Sequence, residues 1–292
     1  MNRIDTLFLK KQSSILSVYF TCGYPSRDST GEVIKALADG GIDMVEAGIP
    51  FSDPMADGPT IQDSSTAALH QGMTLDLLLG QIEQVRPSVP SLPIVLMGYL
   101  NVIMQYGIER LFRRCAEIGI DAMIIPDLPF KDYMRDFRHL CRSYGIPMIM
   151  LITPETSDER IRLIDENCDG FIYMVSAAAT TGTRDSFSRG QTDYFRHVDS
   201  LGLRHRRLIG FGISNHSTLS DAFAYSSGAI VGSLFIKCLA SEPTPEAAVE
   251  RLKKNVGYLN RCLSQSSSSS SPVRSIIAAA RVSAVWIIAT SG

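Results

Sequence analysis

Two carboxylates joined by a stiff loop are the residues of this chain best suited to chemistry. Glu46 interrupts the apolar run Met44-Val45-Glu46-Ala47, and Asp57 follows in a stretch punctuated by Pro50, Pro54, Gly58 and Pro59. An ionised carboxylate is costly to bury, so an acid held among such neighbours takes a raised pKa, toward the range useful for proton transfer. The alternative for Glu46 is an unpaired acid at the solvated edge of a strand. The prolines and glycine after Ile49 forbid helix or ladder, which makes the segment carrying Asp57 a loop that is stiff by composition.

Other chemistries lack their residues. There is no GxSxG elbow, no HExxH and no Cys/His cluster at metal spacing, so hydrolytic and metal-dependent readings fall away. The histidines, His70, His139, His197, His205 and His216, fall in or beside helical stretches with no partner that the sequence names. Two glycine-bearing turns, Gly210-Phe211-Gly212-Ile213-Ser214 and Gly232-Ser233, the second opening the apolar helix of Leu234-Phe235-Ile236, offer backbone amides and a helix N-terminus to a phosphate. A lone GxG matches many ordinary turns; the pair is informative only if the fold brings both turns together. Ser176-Ala177-Ala178-Ala179-Thr180-Thr181-Gly182-Thr183 is small, polar and without packing residues, as a mobile lid would be; an inert long loop is the other reading. The chemistry left is acid/base work by carboxylates on a phosphorylated substrate.

These residues need a frame. Short apolar runs recur, each leading into a stretch with helical periodicity, which is the sequence form of stacked βα units. The strands are expected at 15–21, 44–49, 94–97, 122–125, 147–151, 170–175, 207–210 and 229–231. Helical stripes such as Met134, Phe137, Cys141 and Tyr144, or Val249, Leu252, Val256, Leu259 and Leu263, mark core-facing surfaces. Runs apolar on both faces, such as Met123-Ile124-Ile125, suit parallel strands covered by helices. Eight units close most simply as a (β/α)₈ TIM barrel; a doubly wound open sheet is the alternative. In a barrel the active site lies at the C-terminal ends of the strands. Glu46 falls near the end of the second strand, Asp57 in the loop after it, Asp127 after the fourth and Tyr173 in the sixth. Between Pro126 and Leu128-Pro129, Asp127 suits either a structural Asx cap or a site role.

The chain has 292 residues, 45% of them hydrophobic, enough for one large core. A formal net charge of -2 leaves no basic excess, which disfavours nucleic acid or an anionic membrane as the main partner. Six scattered cysteines without a CxxC pair fit a reducing compartment, and the amphipathic start Met1 to Lys11 lacks an apolar signal core, so a cytoplasmic location is expected. The expected organisation is a catalytic barrel over 1–264 and a disordered or loosely ordered tail over 265–292. That tail begins as the serine run 266–271 and ends in an apolar stretch, 276–288, which Arg281 interrupts and which is short for a bilayer.

The run Phe51-Ser52-Asp53-Pro54-Met55-Ala56-Asp57-Gly58-Pro59-Thr60-Ile61-Gln62 resembles the signature of the tryptophan synthase α-subunit family. The similarity extends from Leu7 to about Leu263 and includes Thr21-Cys22-Gly23-Tyr24-Pro25, Met97-Gly98-Tyr99, Pro126-Asp127-Leu128-Pro129 and Gly210-Phe211-Gly212-Ile213-Ser214. The resemblance implies a (β/α)₈ lyase that cleaves indole-3-glycerol phosphate to indole and glyceraldehyde 3-phosphate and passes indole to a β subunit carrying pyridoxal phosphate, in an α2β2 heterotetramer. It implies no cofactor in this chain. By the same resemblance Glu46 and Asp57 match the catalytic acids, Tyr173 a tyrosine near the substrate and Thr181 the lid threonine. Gly182, Gly212, Gly232 and Ser233 match phosphate contacts, and Tyr19, Tyr99 and Ile152 match positions lining the indole pocket. The lid departs from the family: where better-known members carry an arginine and a glycine before valine-threonine-glycine, this chain reads Ser176-Ala177-Ala178-Ala179-Thr180-Thr181-Gly182. Alternatives are a free-standing indole-3-glycerol-phosphate lyase, a phosphate-binding barrel acting only as an allosteric partner, and a different phosphosugar isomerase on the same fold.

Overall fold

Eight parallel strands close on themselves in chain order, with β1 (Ile15–Thr21) pairing both β2 (Met44–Gly48) and β8 (Gly228–Val231) in the computed structural model. Between them run β3 (Ile94–Met97), β4 (Ala122–Ile124), β5 (Met148–Ile152), β6 (Phe171–Val175) and β7 (Arg206–Gly210). The structure describes residues 2–176 and 186–258. The Ser-rich segment, the apolar stretch around Trp286, Leu259 and Leu263, and most of the expected lid lie outside those residues.

The strands agree with the sequence reading to within a residue at most ends, and the differences have local causes. Pro147 has no N–H to give a ladder and precedes β5; Gly170, at φ +88°, turns the chain into β6. Closure excludes the open sheet. A helix follows each strand, and the strands' outward residues, such as Leu16, Val18 and Phe20 of β1, pack with helix residues such as Leu37, Leu78 and Phe112 in one outer core. Phe137 and Cys141 are buried there, with Met134 and Tyr144 half-buried against them, as the spacing of that stripe requires.

Inward residues alternate with outward ones along each strand. Ile15 and Tyr19 of β1, Met44 of β2, Val95 of β3, Ile149 of β5, and Phe171 and Tyr173 of β6 form a second cluster inside the barrel. Its lower end is stoppered by α1 (Arg3–Lys10), whose Ile4 and Phe8 are buried, with the Phe8 ring edge-on to Phe171 at 6.2 Å. Asn2 caps α1 in a capping box with Asp5 and also donates to the Asp121 carbonyl at 2.6 Å. The Asp121 carboxylate then accepts from Arg3 at 3.0 Å, Arg86 at 3.4 Å and the Ile94 amide at 2.9 Å. The segment 1–11, read from sequence only as an amphipathic start, is therefore the plug of the N-terminal mouth. Ile4, Leu7 and Phe8, spaced as one helix face after a cap-forming Asn2, carried that signal.

Candidate active site

Parallel pairing fixes the level of each inward residue. Register sets Tyr19 of β1 beside Glu46 of β2, Glu46 beside Val95 of β3, and Ser17 one inward layer deeper, beside Met44. Glu46 is 0% exposed. Its Oε1 accepts a hydrogen bond from Ser17 Oγ at 3.0 Å, and its Oε2 is buried with no partner. Burial pushes its pKa up to about 8, against a smaller lowering by the Ser17 hydroxyl. The acid is thus neutral at pH 7 and holds a proton to give. The solvated-edge alternative is excluded by this burial.

Asp57 comes in from the loop after β2. That loop turns through a bond from the Asp57 amide to the Pro54 carbonyl, 3.1 Å, and runs into the helix Pro59–His70 with proline in its first turn, where a missing N–H costs nothing. Asp57 is 7% exposed, and its Oδ2 accepts from Tyr99 Oη at 2.9 Å. Burial raises its pKa to about 6 while the Tyr99 hydrogen bond pulls the other way, so Asp57 is mainly ionised at neutral pH. The same Tyr99 hydroxyl accepts from the Ala56 amide at 3.1 Å, and Phe51 stacks on its ring at 5.2 Å. Tyr99 therefore clamps the loop and its carboxylate, a role beyond lining a pocket.

Both acids act on one buried group. Tyr173, buried inside β6, has a hydroxyl pKa raised by burial and then by both Glu46 and Asp57, and Tyr19 is raised by burial and then by Asp57. Both stay neutral donors. Each ring leans over a glycine of the adjacent strand: a Cβ on Gly48 would overlap the Tyr19 hydroxyl, and one on Gly210 the Tyr173 hydroxyl. Only glycine admits these rings.

The glycine turns sit at the same mouth, at the C-terminal ends of β7 and β8. Phe211 and Gly212 are both left-handed, at φ +68° and +76°, and Ser176 Oγ holds the Phe211 carbonyl at 2.8 Å. A left-handed phenylalanine is a strained arrangement of the kind kept where a site needs it. Phe211 meets the Tyr173 ring edge-on at 6.2 Å. Gly232 caps the helix Ser233–Ser241, whose first amides have no acceptor within the helix, and Tyr19 lies within 3.5 Å of a Cβ built on Gly232. One mouth thus holds two acids, two tyrosines, two glycine turns and a helix N-terminus.

Two expectations change. Ile152 was expected to line the indole pocket; the structure packs it, fully buried, in the outer core, and its neighbour Leu151 faces the inner cluster with Ile149, because side chains alternate along the strand. Asp127 does not cap its own turn but accepts from the Leu100 amide at 2.9 Å, capping the helix Leu100–Tyr106 across the mouth. Thr181 and Gly182 lie outside the described residues. Ser17 was missed, although its parity with Tyr19 in an apolar strand marks it as inward-facing. Among the described residues no three His, Cys, Asp or Glu side chains group as a metal site would need.

A sequence profile of the tryptophan synthase alpha chain matches residues 7–264. The chain belongs to the tryptophan synthase alpha chain family. A tryptophan synthase alpha chain of Parabacteroides distasonis is 56% identical over 252 residues, covering 86% of this chain and 98% of that one. One of Bacteroides fragilis is 53% identical over 253 residues, covering 87% and 96%. The solved tryptophan synthase subunit alpha of Legionella pneumophila superposes with a TM-score of 0.78 at 29% identity, covering 89% of this chain and all of that one. Family membership gives the chain the α-subunit role, that of a lyase.

Proposed function

We propose that Glu46 and Asp57 cleave indole-3-glycerol phosphate to indole and D-glyceraldehyde 3-phosphate, as the α reaction of tryptophan biosynthesis. The observation that carries this reading is a neutral, fully buried Glu46, its Oε2 unpartnered, acting with a mainly ionised Asp57 on the same Tyr173 hydroxyl. Breaking the bond from indole C3 to the glycerol carbon outright would expel a poor leaving group, so Glu46 first gives its proton to C3. The resulting indolenine carries positive charge at the ring nitrogen, which the Asp57 carboxylate stabilises. Glu46, now ionised, takes the proton of the glycerol hydroxyl as the aldehyde forms, and the electrons of the broken bond return to the ring. Two acids in different environments play opposite parts. Tyr173 and Tyr19 flank the reacting ring, Tyr99 holds Asp57, and the backbone at Gly212, Gly232 and Ser233, with Gly182 of the lid, takes the phosphate. Thr181 is assigned to the site on the family resemblance alone.

The partner in this reading is a tryptophan synthase β subunit in an α2β2 assembly, which receives the indole and carries the pyridoxal phosphate. A docking face on the active-site side supports it. Met55 is 95% exposed and Met104 60% exposed, and between their elements a cleft of about 410 Å3 is lined by Phe51, Asp53, Met73, Asn101 and Gln105. Exposed methionines beside an apolar cleft suit a surface that another chain covers. A catalytic domain over 1–264 with a tail over 265–292 is the proposed organisation, in keeping with the family match over 7–264. Buried free thiols at Cys22, Cys115, Cys141, Cys168 and Cys238 support a reducing, cytoplasmic setting, and no helix of the described residues is long and apolar enough to cross a membrane. The test is indole release from indole-3-glycerol phosphate by the full chain, alone and with a β subunit. Release that accelerates on adding the partner is expected; no release under either condition rejects the substrate, and equal rates reject the partner.

A further inference from the structure

Glu46 has two carboxyl oxygens in unlike settings, and one residue makes the difference. Oε1 accepts from Ser17 Oγ at 3.0 Å, whereas Oε2 is buried without a partner. Ser17 is itself fully buried, on the inward face of β1 at the level of Met44, so it approaches the carboxyl from the closed side of the hollow. The neighbouring inward positions give no substitute: β3 brings Val95 and β4 Ala122. We propose that Ser17 is a positioning residue for the Glu46 carboxyl, gripping Oε1 from below and leaving Oε2, turned to the substrate, as the oxygen that gives and takes the proton. This rests on the assignment of Glu46 as the proton carrier.

The chemistry follows from the donor. In the neutral acid the serine hydroxyl bonds the carbonyl-type oxygen, which puts the acidic hydrogen on Oε2. As that proton leaves for indole C3, Oε1 shares the growing negative charge and the hydrogen bond to it shortens and strengthens. The bond is therefore worth more along the reaction than before it, the condition for lowering a barrier and not merely improving binding. It also holds the carboxyl plane in a core where no other hydrogen-bonding group fixes it. The titratable groups facing Glu46 are Tyr173 from β6 and, as its register neighbour, Tyr19 from β1, with Asp57 across the hollow; the inward residues of β3 and β4 are apolar. Both tyrosines stay neutral, so a change in the Glu46 proton equilibrium reads on Ser17 cleanly.

The test measures indole release from indole-3-glycerol phosphate against pH for the full chain and for Ser17→Ala, Ser17→Thr, Glu46→Gln and the Ser17→Ala/Glu46→Gln pair. Ser17→Ala is expected to lower kcat about tenfold with KM within about twofold, as loss of one charge-assisted donor used mainly in the transition state. The alkaline limb should move upward, because the lost hydroxyl favoured the ionised form of Glu46. Ser17→Thr, which keeps the hydroxyl, restores rate and limb, and Ser17→Ala changes nothing further once Glu46 is glutamine. If the alanine variant fails to fold, Ser17→Cys, near in volume and a weaker donor, carries the test with a smaller move in the same direction. A rate loss with the limb in place, an equal loss in the Glu46→Gln background, or no loss at all overturns the proposal while an inactive Glu46→Gln leaves the proton carrier standing. A Glu46→Gln enzyme at full rate removes that assignment and this proposal with it.

Discussion

At the level of single residues, function turns on how far each acid sits from its ordinary proton equilibrium. Burial raises Glu46 to about 8 and Asp57 to about 6, which leaves a window near neutrality in which the first holds a proton and the second does not. The account therefore predicts a bell-shaped kcat/KM profile. Below about pH 6 Asp57 takes up a proton and loses the charge that steadies the indolenine; above about pH 8 Glu46 has none to give. Tyr99 favours the ionised Asp57 by donating to it, so Tyr99→Phe should raise the acid limb and leave the alkaline limb in place, a displacement readable from the same profile. The pair of acids was legible in sequence because an acid inside an apolar strand and a proline-stiffened loop are both anomalies of local pattern. Tyr99 carries no such mark, and Ser17 only its inward parity in an apolar strand. Their partners lie 42 and 29 positions away in the chain, and only the pairing of β2 with β3 and with β1 brings them within a hydrogen bond.

At the level of elements, β2 delivers Glu46, the loop after it delivers Asp57, and β7 and β8 end in the glycine turns proposed to take the phosphate. Two glycines make room for the tyrosines between them. Gly210→Ala should push the Tyr173 ring from its place and cost roughly 1–3 kcal/mol, as overpacking in a tight core does, measured as a fall in the denaturant midpoint together with slower indole release. The opposite end of the barrel is held by α1 and the Asp121 cluster. Asp121→Ala leaves Arg86, which is nearly buried, without its carboxylate and the Ile94 amide without an acceptor; roughly 3–5 kcal/mol of stability should go, while activity well below the midpoint persists because the site is at the other mouth. Strand positions could be read from apolar runs bounded by turns, because a parallel strand buried on both faces has few other ways to look. The plug helix could not be read with the same ease: an amphipathic helix of eight residues does not say which surface it covers.

For the whole molecule, a closed barrel sealed at one mouth leaves the other for substrate and partner alike. The loop that holds Asp57 also presents Met55, and the helix Leu100–Tyr106, which follows Tyr99 directly, presents Met104. A partner seated there would press on the segments that fix the Asp57 carboxylate. Met104→Glu is expected to weaken partner affinity by about tenfold or more and remove the activation, with the basal rate of the isolated chain unchanged. Titration of indole release with the β subunit checks it. The fold class was readable from the number and spacing of the strands, and the substrate class from the family resemblance; the proposed partner face was not, since exposure of a methionine depends on the finished surface. The central claim is that Glu46 carries the proton. Indole release from indole-3-glycerol phosphate by Glu46→Gln tests it most directly: the account predicts a fall of about 10²–10⁴-fold with the fold intact, and a rate within tenfold of the unaltered chain would contradict it.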